Sequence, residues 1–274
     1  GFTWMFFLVV ITTIVFFILQ AELNLDDTTG EIVVSYLIYT IPLLLLFWSL
    51  RKSKHPVISI FKGNLDSMSQ VLLVIPLIAI SLSIAWITIL SLNLIYPVAA
   101  ENYLDWLNSV QIFDFGPETS LLQYLFIFGV IAIVGPLIEE IIFRGIMIER
   151  LGAKYNYRSA VIISSVIFAI LHLEPVGAFV FGIILSFIYL KTESLMIPIL
   201  IHVINNALAL FSVIAADKFG FDYGIWETTE PYISNAWFGV LLFSAGLFWI
   251  GRYLKQNWKI VMGKKPFDIE SAKA

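Results

Sequence analysis

Apolar residues fall in eight long blocks along the chain, each closed by a cluster of charged or turn-forming residues. The blocks are Phe2–Leu19, Ile32–Leu50, Val71–Ile95, Leu121–Ile138, Ser159–His172, Ala178–Leu190, Leu195–Ala215 and Ala236–Tyr253. Most approach or exceed the roughly 18 residues a helix needs to cross about 30 Å of hydrocarbon. The fourth continues as a helical pattern past Ile138. The fifth and sixth are shorter and are separated by Leu173–Gly177, where Pro175 and Gly177 read as a turn between antiparallel helices. The alternative, one merged helix, sets a proline in a helix interior and is disfavoured.

The charges between the blocks give an orientation. The segments 20–31, 96–120 and 217–230 are acidic. The segments 51–70 and 144–158 and the C-terminal tail are basic, Glu174 stands alone, and Lys191 balances Glu193. Basic and acidic connections alternate, and the positive-inside rule then sets both termini in the cytoplasm. The expectation is an all-α polytopic membrane protein of about eight transmembrane helices, N-in and C-in, forming a single integral membrane domain over 1–274. The first block has no basic n-region or small-residue cleavage site and reads as a retained helix. In the outer segment 96–120, Tyr103, Trp106, Leu107 and Val110 lie at helical spacing and suit an interfacial helix; a plain tethering loop is the alternative.

Composition narrows the function classes. With 59% hydrophobic and 13% charged residues, the chain has too few charges to cover a soluble surface, where about 25% is usual. A net charge of −4 argues against a nucleic-acid partner, and the absence of cysteine removes disulfides, thiolate metal sites and cysteine nucleophiles. The partner that remains in every reading is the lipid bilayer.

Two acids escape assignment to a connection. Glu139 and Glu140 lie in an unbroken helical pattern with apolar residues on either side. An ionisable group in a span costs about 2.5–3.5 kcal/mol on insertion scales and marks a functional position by default. Glu140 precedes Arg144 by four residues, the favourable order for a helical ion pair. Glu139 points about 100° away and is left free of that partner. Of the three histidines, His55 sits in a basic connection, His172 closes the fifth block and His202 lies inside the seventh. Helix rise puts Glu139 about 16 Å from Arg150, His172 about 21 Å from Arg158 and His202 about 12–13 Å from Ser194. The three groups therefore converge near mid-membrane, displaced toward the cytoplasm. Asn206 shares the helical face of His202 one turn on, Phe168 precedes His172 by one turn, and Asn205 points elsewhere, toward helix packing.

A partly desolvated carboxylate can serve as a general base on water. A neighbouring histidine can orient that water or protonate a leaving amine, and a second histidine with an amide can meet an oxyanion. That chemistry is water attack on a carbonyl. Glu139, His172 and His202 are equally a zinc-type ligand set, so hydrolysis with zinc is the alternative. From another class, the same three groups could form the relay of a proton-coupled transporter.

These residues also carry a resemblance. Glu139-Glu140-Ile141-Ile142-Phe143-Arg144, Phe168-Ala169-Ile170-Leu171-His172 and His202-Val203-Ile204-Asn205-Asn206 match E-E-x-x-x-R, F-x-x-x-H and H-x-x-x-N in order. The stretch 121–206 thereby resembles the CPBP family of CAAX proteases and bacteriocin-processing enzymes (the Abi family), most closely its Ras-converting CAAX prenyl endopeptidase branch. The resemblance implies an intramembrane endopeptidase that removes the last three residues of a prenylated C-a-a-X tail, with its site open toward the cytoplasm. It implies Glu139 as the base on water with His172 as its partner, and His202 and Asn206 at the oxyanion. Glu140, Arg144 and Phe168 would support them, with no cofactor. Other branches, with a different membrane or peptide substrate or an immunity role, share the same motifs.

Overall fold

The computed structural model describes residues 36, 44, 65–109, 119–172, 174–219 and 228–263. Among them every regular element is helical. A 3₁₀ turn, Leu65–Leu73, leads into α1, Val74–Ile95. Then come α2, Pro97–Ser109; α3, Leu121–Lys154; α4, Tyr157–Ile170; and α5, Pro175–Thr192. The chain continues through α6, Met196–Phe219; α7, Glu230–Ser234; and α8, Ala236–Met262.

Five helical stretches are long and apolar enough to cross a bilayer: Met68–Ile95, Leu121–Lys154, Pro175–Thr192, Met196–Ala215 and Ala236–Lys259, with Tyr157–Ile170 as a shorter apolar helix. The chain is a polytopic, all-α membrane protein. Six of the eight expected blocks coincide with these helices. The other two, Phe2–Leu19 and Ile32–Leu50, lie outside the described residues apart from Tyr36 and Leu44, as do His55 and Val110.

Local sequence explains the boundaries. Tyr96 is extended because it precedes Pro97, which ends α1 and opens α2. Ser120 and Gln123 form a capping box at the start of α3. Asn156 caps α4 through a 2.9 Å bond from Ser159 N. The expected break between the fifth and sixth blocks is present, since α4 ends at Ile170 and Pro175 opens α5. Helix α3 contains two wide π turns, Gly129–Val134 and Ile141–Ile148. The first runs into Gly135-Pro136, where proline supplies no backbone N–H. The second directly follows Glu139-Glu140, a placement typical of π turns at functional sites.

Helices pack closely where side chains are small, as expected where lipid tails remove the hydrophobic drive between helices. A Cβ at Gly239 of α8 would lie 2.6 Å from Trp86 of α1, and one at Gly182 of α5 would lie 3.1 Å from the Ser165 side chain of α4. Around these contacts one buried cluster joins six helices: Leu77 and Ile80 of α1, Phe143 of α3, Phe168 of α4, Ile184 of α5, Ile201 of α6 and Ile250 of α8. Ala100 and Leu104 fasten α2 onto Trp86 and Ile89 of α1 and Tyr232 of α7. Leu82, Leu125, Phe211 and Phe248 point outward, as lipid-facing residues do.

Candidate active site

Helices α3 and α6 and the end of α4 carry the site. Glu139 and Glu140 are consecutive on α3, between its two π turns, so their carboxylates diverge. The structure sets the His202 imidazole across that divergence. Nδ1 lies 2.8 Å from Glu140 Oε1, and Nε2 lies 3.8 Å from Glu139 Oε2. Glu140 Oε1 also accepts from Arg144 Nη1 at 2.8 Å, the expected helical pair. Both members are buried, at 0% and 1% exposure, so Arg144 belongs to the interior and not to the basic connection in which its sequence position groups it. Arg144 Nη2 reaches Gly182 O at 3.4 Å, and its guanidinium lies 4.8 Å from the Phe168 ring centre.

His172 stands just past the end of α4 instead of inside it. A helix leaves its last carbonyls without intrahelical partners. Here Phe168 O receives His172 Nδ1 at 2.6 Å, while the ring lies against Phe168 with centroids 4.0 Å apart. His172 Nε2 then faces Glu139 Oε2 at 3.7 Å. Phe168 itself packs edge-on against Phe143 at 5.0 Å, and Phe181 packs edge-on against His202 at 5.0 Å.

The partners decide the tautomers. A carbonyl and a carboxylate only accept, so both Nδ1 atoms carry the proton, and in the neutral rings both Nε2 atoms present lone pairs. Three acceptors, Glu139 Oε2 and the two Nε2 atoms, thus converge on one point. Such a point calls for water or a cation. A water about 2.8 Å from both Glu139 Oε2 and His172 Nε2 fits their separation, with the two acceptors subtending about 80° at its oxygen. Among the described residues, no group of three or more His, Cys, Asp or Glu side chains has the geometry of a metal site. Glu139 is 18% exposed and His172 32%, while His202 is nearly enclosed at 4%, so approach is from the Glu139–His172 side.

Asn206 is on α6 one turn from His202, as its spacing predicts. Its Nδ2 donates to Ile131 O, at 3.1 Å, on the first π turn of α3, and Asn205 Nδ2 lies 3.5 Å from Asn206 Oδ1. One Asn206 N–H is therefore committed to backbone, and the amide has a second. At the margin of the site, Glu174 caps α5 by accepting from Gly177 N. Burial pushes the Glu174 carboxyl up, against the hydrogen bonds of Gly177 and Val176. On α2, Tyr103 is pushed up to about 12 by burial, with the charges of Glu174 and Tyr232 adding to the rise. The Glu140–His202 bond, Phe181 and the Gly182 and Ile131 carbonyls are parts of the site that sequence reasoning misses. Of these, only glycine at a helix crossing leaves a readable signal.

A multi-pass helical membrane protein with a carboxylate–imidazole cluster inside its spans is the class that fold and site define. Residues 121–208 match the family described as Type II CAAX prenyl endopeptidase Rce1-like. Over 78 residues the chain is 40% identical to the putative membrane peptidase YdiL of Bacillus subtilis (strain 168), covering 27% of this chain and 32% of that protein. Over 92 residues it is 41% identical to the membrane-embedded CAAX protease MroQ of Staphylococcus aureus (strain USA300), covering 30% and 36%. The matches thus span about a third of each relative's own length. No solved structure matches. The resemblance carried by the three motifs holds over this stretch, which contains all the residues of the cluster.

Proposed function

We propose that the protein is an intramembrane endopeptidase in which Glu139 activates water for attack on a peptide carbonyl. The observation that carries this reading is the convergence of His172 Nε2 and His202 Nε2 on Glu139 Oε2, at 3.7 and 3.8 Å. Glu139 and His202 are on helices long and apolar enough to span a membrane, and His172 lies just past the end of α4. Water bound between Glu139 and His172 gives one proton to Glu139 while its oxygen adds to the scissile carbonyl carbon. The oxyanion that forms is met by the second N–H of Asn206 and by His202. Because Nδ1 of His202 is committed to Glu140, it is the Nε2 edge of His202 that faces the reacting carbonyl. The tetrahedral adduct collapses by breaking the C–N bond, and the proton held by Glu139 passes to the leaving amine. Glu140 and Arg144 hold His202, and Phe168 backs both His172 and Arg144.

The proposed substrate is the prenylated C-terminal C-a-a-X tail of a membrane-bound protein, cut to release a tripeptide on the cytoplasmic side. The description of the matching family supports this substrate. The physical sense is direct: a lipidated cysteine dissolves its chain in the bilayer beside the helices while the peptide enters from the basic side. Both relatives are bacterial membrane proteins, which favours one second substrate class, an unmodified membrane-associated peptide. Purified protein in detergent, given farnesylated and unmodified peptides of one sequence side by side, tests both. Tripeptide release from the farnesylated peptide alone supports the first, and equal cleavage supports the second. Cleavage of neither removes the peptidase reading for these substrates and turns attention to a Glu139–His172–His202 proton relay.

A further inference from the structure

Away from the candidate site, a groove of about 740 Å³ opens between the start of α1 and the Ala245–Asn257 stretch of α8. It lies near the far end of α5, with Lys191 at its mouth, ten residues and about 15 Å along the helix from Phe181 beside His202. Its wall is hydrocarbon, from Ile75, Pro76 and Ala79 of α1 and Ala245 and Trp249 of α8. Its rim is polar, from Gln70, Lys191, Gln256 and Asn257. Lys191 Nζ rests over the Tyr253 ring at 4.8 Å, and none of the ion pairs among the described residues includes it. Gln70 Oε1 and the Tyr253 hydroxyl, both on lining residues, are buried without a hydrogen-bond partner among the described residues. Beside the rim, Arg252, Lys255 and Lys259 stand exposed along α8. The adjoining turn contains one acid, Asp66.

An apolar trough at the end of membrane spans, closed by an ammonium outside those ion pairs and flanked by a cationic stripe, matches an amphiphile with an anionic head. We propose that this groove is a binding site for an anionic phospholipid, its phosphate on Lys191 and an acyl chain along α1 and α8. Lys and Arg at a membrane surface attract anionic headgroups, and here the hydrocarbon wall adds a place for the chain. A free anion would gain nothing from that wall, and a zwitterionic lipid would gain little from the stripe. The site is separate from the proposed hydrolytic centre and does not depend on that reading.

Native mass spectrometry of the purified full chain tests this, with phosphatidylglycerol and phosphatidylcholine of matched acyl chains added in neutral detergent. The expected result is selective retention of one phosphatidylglycerol, falling about fivefold in Lys191→Gln and kept in Lys191→Arg. Lys154→Gln, which removes an ammonium packed on Tyr155 at the end of α3, should leave retention unchanged. If Lys191→Gln does not fold, Ala245→Phe, which fills the groove from an exposed position, should show the same loss. Equal retention of both lipids, or undiminished retention in these variants, overturns the site. Displacement of the lipid by an equal concentration of glycerol phosphate would overturn it too, by assigning the groove to a soluble anion.

Discussion

Replacing Glu140 with leucine removes a charge from a fully enclosed position and leaves Arg144 without its ion-pair partner. Its remaining direct contacts are the Gly182 carbonyl at 3.4 Å and the Phe168 ring at 4.8 Å, and the Glu139 carboxylate acts on it without forming an ion pair. Breaking a buried pair by deleting one member costs about 3–5 kcal/mol, whereas exchanging both for apolar residues of similar volume is often neutral. Glu140→Leu is therefore expected to lose about 3 kcal/mol or more, and Glu140→Leu/Arg144→Met to recover most of it. Reversible unfolding in mixed micelles reads both numbers. Activity should not follow stability. His202 Nδ1 donates to the same Glu140 oxygen at 2.8 Å, so the double variant leaves the imidazole without the acceptor that fixes its ring and tautomer. Removing a carboxylate that orients a metal-ligating histidine costs about 10–100-fold, and a loss of that order is expected here. The double variant should thus be stable and slow. A Glu140→Leu protein that unfolds within about 1 kcal/mol of the parent would refute the buried-pair argument, and a double variant with full activity would refute the orienting role.

Further outcomes follow from the same geometry. Phe168→Ala removes a ring packed at once on Phe143, Arg144 and His172, and should lower stability by about 3–5 kcal/mol, measured in the same micelles. Gly239→Ala puts a methyl group 2.6 Å from the first atoms of the Trp86 side chain, where little can yield. A loss of about 1–3 kcal/mol is expected from separating α1 and α8, and an unchanged unfolding midpoint would contradict that packing. Peptide hydrolysis should be indifferent to chelators if water is activated by Glu139 alone. Inhibition that added zinc reverses would instead make Glu139, His172 and His202 metal ligands.

The apolar blocks are legible in the sequence because an uncharged apolar run of bilayer length is rarely compatible with anything but a span. Among the described helices, each block starts within about three residues of its helix, whereas α3 runs on past Ile138 to Lys154 and α8 past Tyr253 to Met262. Glu139 and Glu140 are legible for a related reason: a charge inside such a run is costly enough to need a cause. Helix rise even brings Glu139, His172 and His202 toward the same middle region of the membrane. What rise and spacing do not contain is the contact between helices. Arg144 reads as a loop cation because its burial is set by Phe168 and Gly182, residues far away in sequence. His172 reads as the last residue of its helix, but α4 closes two residues earlier and turns the imidazole back onto Phe168 O. The Asn206 bond to Ile131 is hidden because a π turn in an apolar stretch leaves no mark in the pattern of apolar and polar residues.

The role of Glu139 as general base stands or falls on Glu139→Gln in the reconstituted peptide assay. The substitution keeps the size of the side chain. It should disturb packing little, since the imidazole nitrogens facing the carboxylate lie 3.7 and 3.8 Å away, beyond direct hydrogen bonding. Unfolding measured in parallel guards that assumption. A folded protein whose hydrolysis falls by about 10²–10⁴-fold, the usual contribution of a positioned general base, is the expected result. A folded Glu139→Gln protein that hydrolyses its peptide at the parent rate would contradict it.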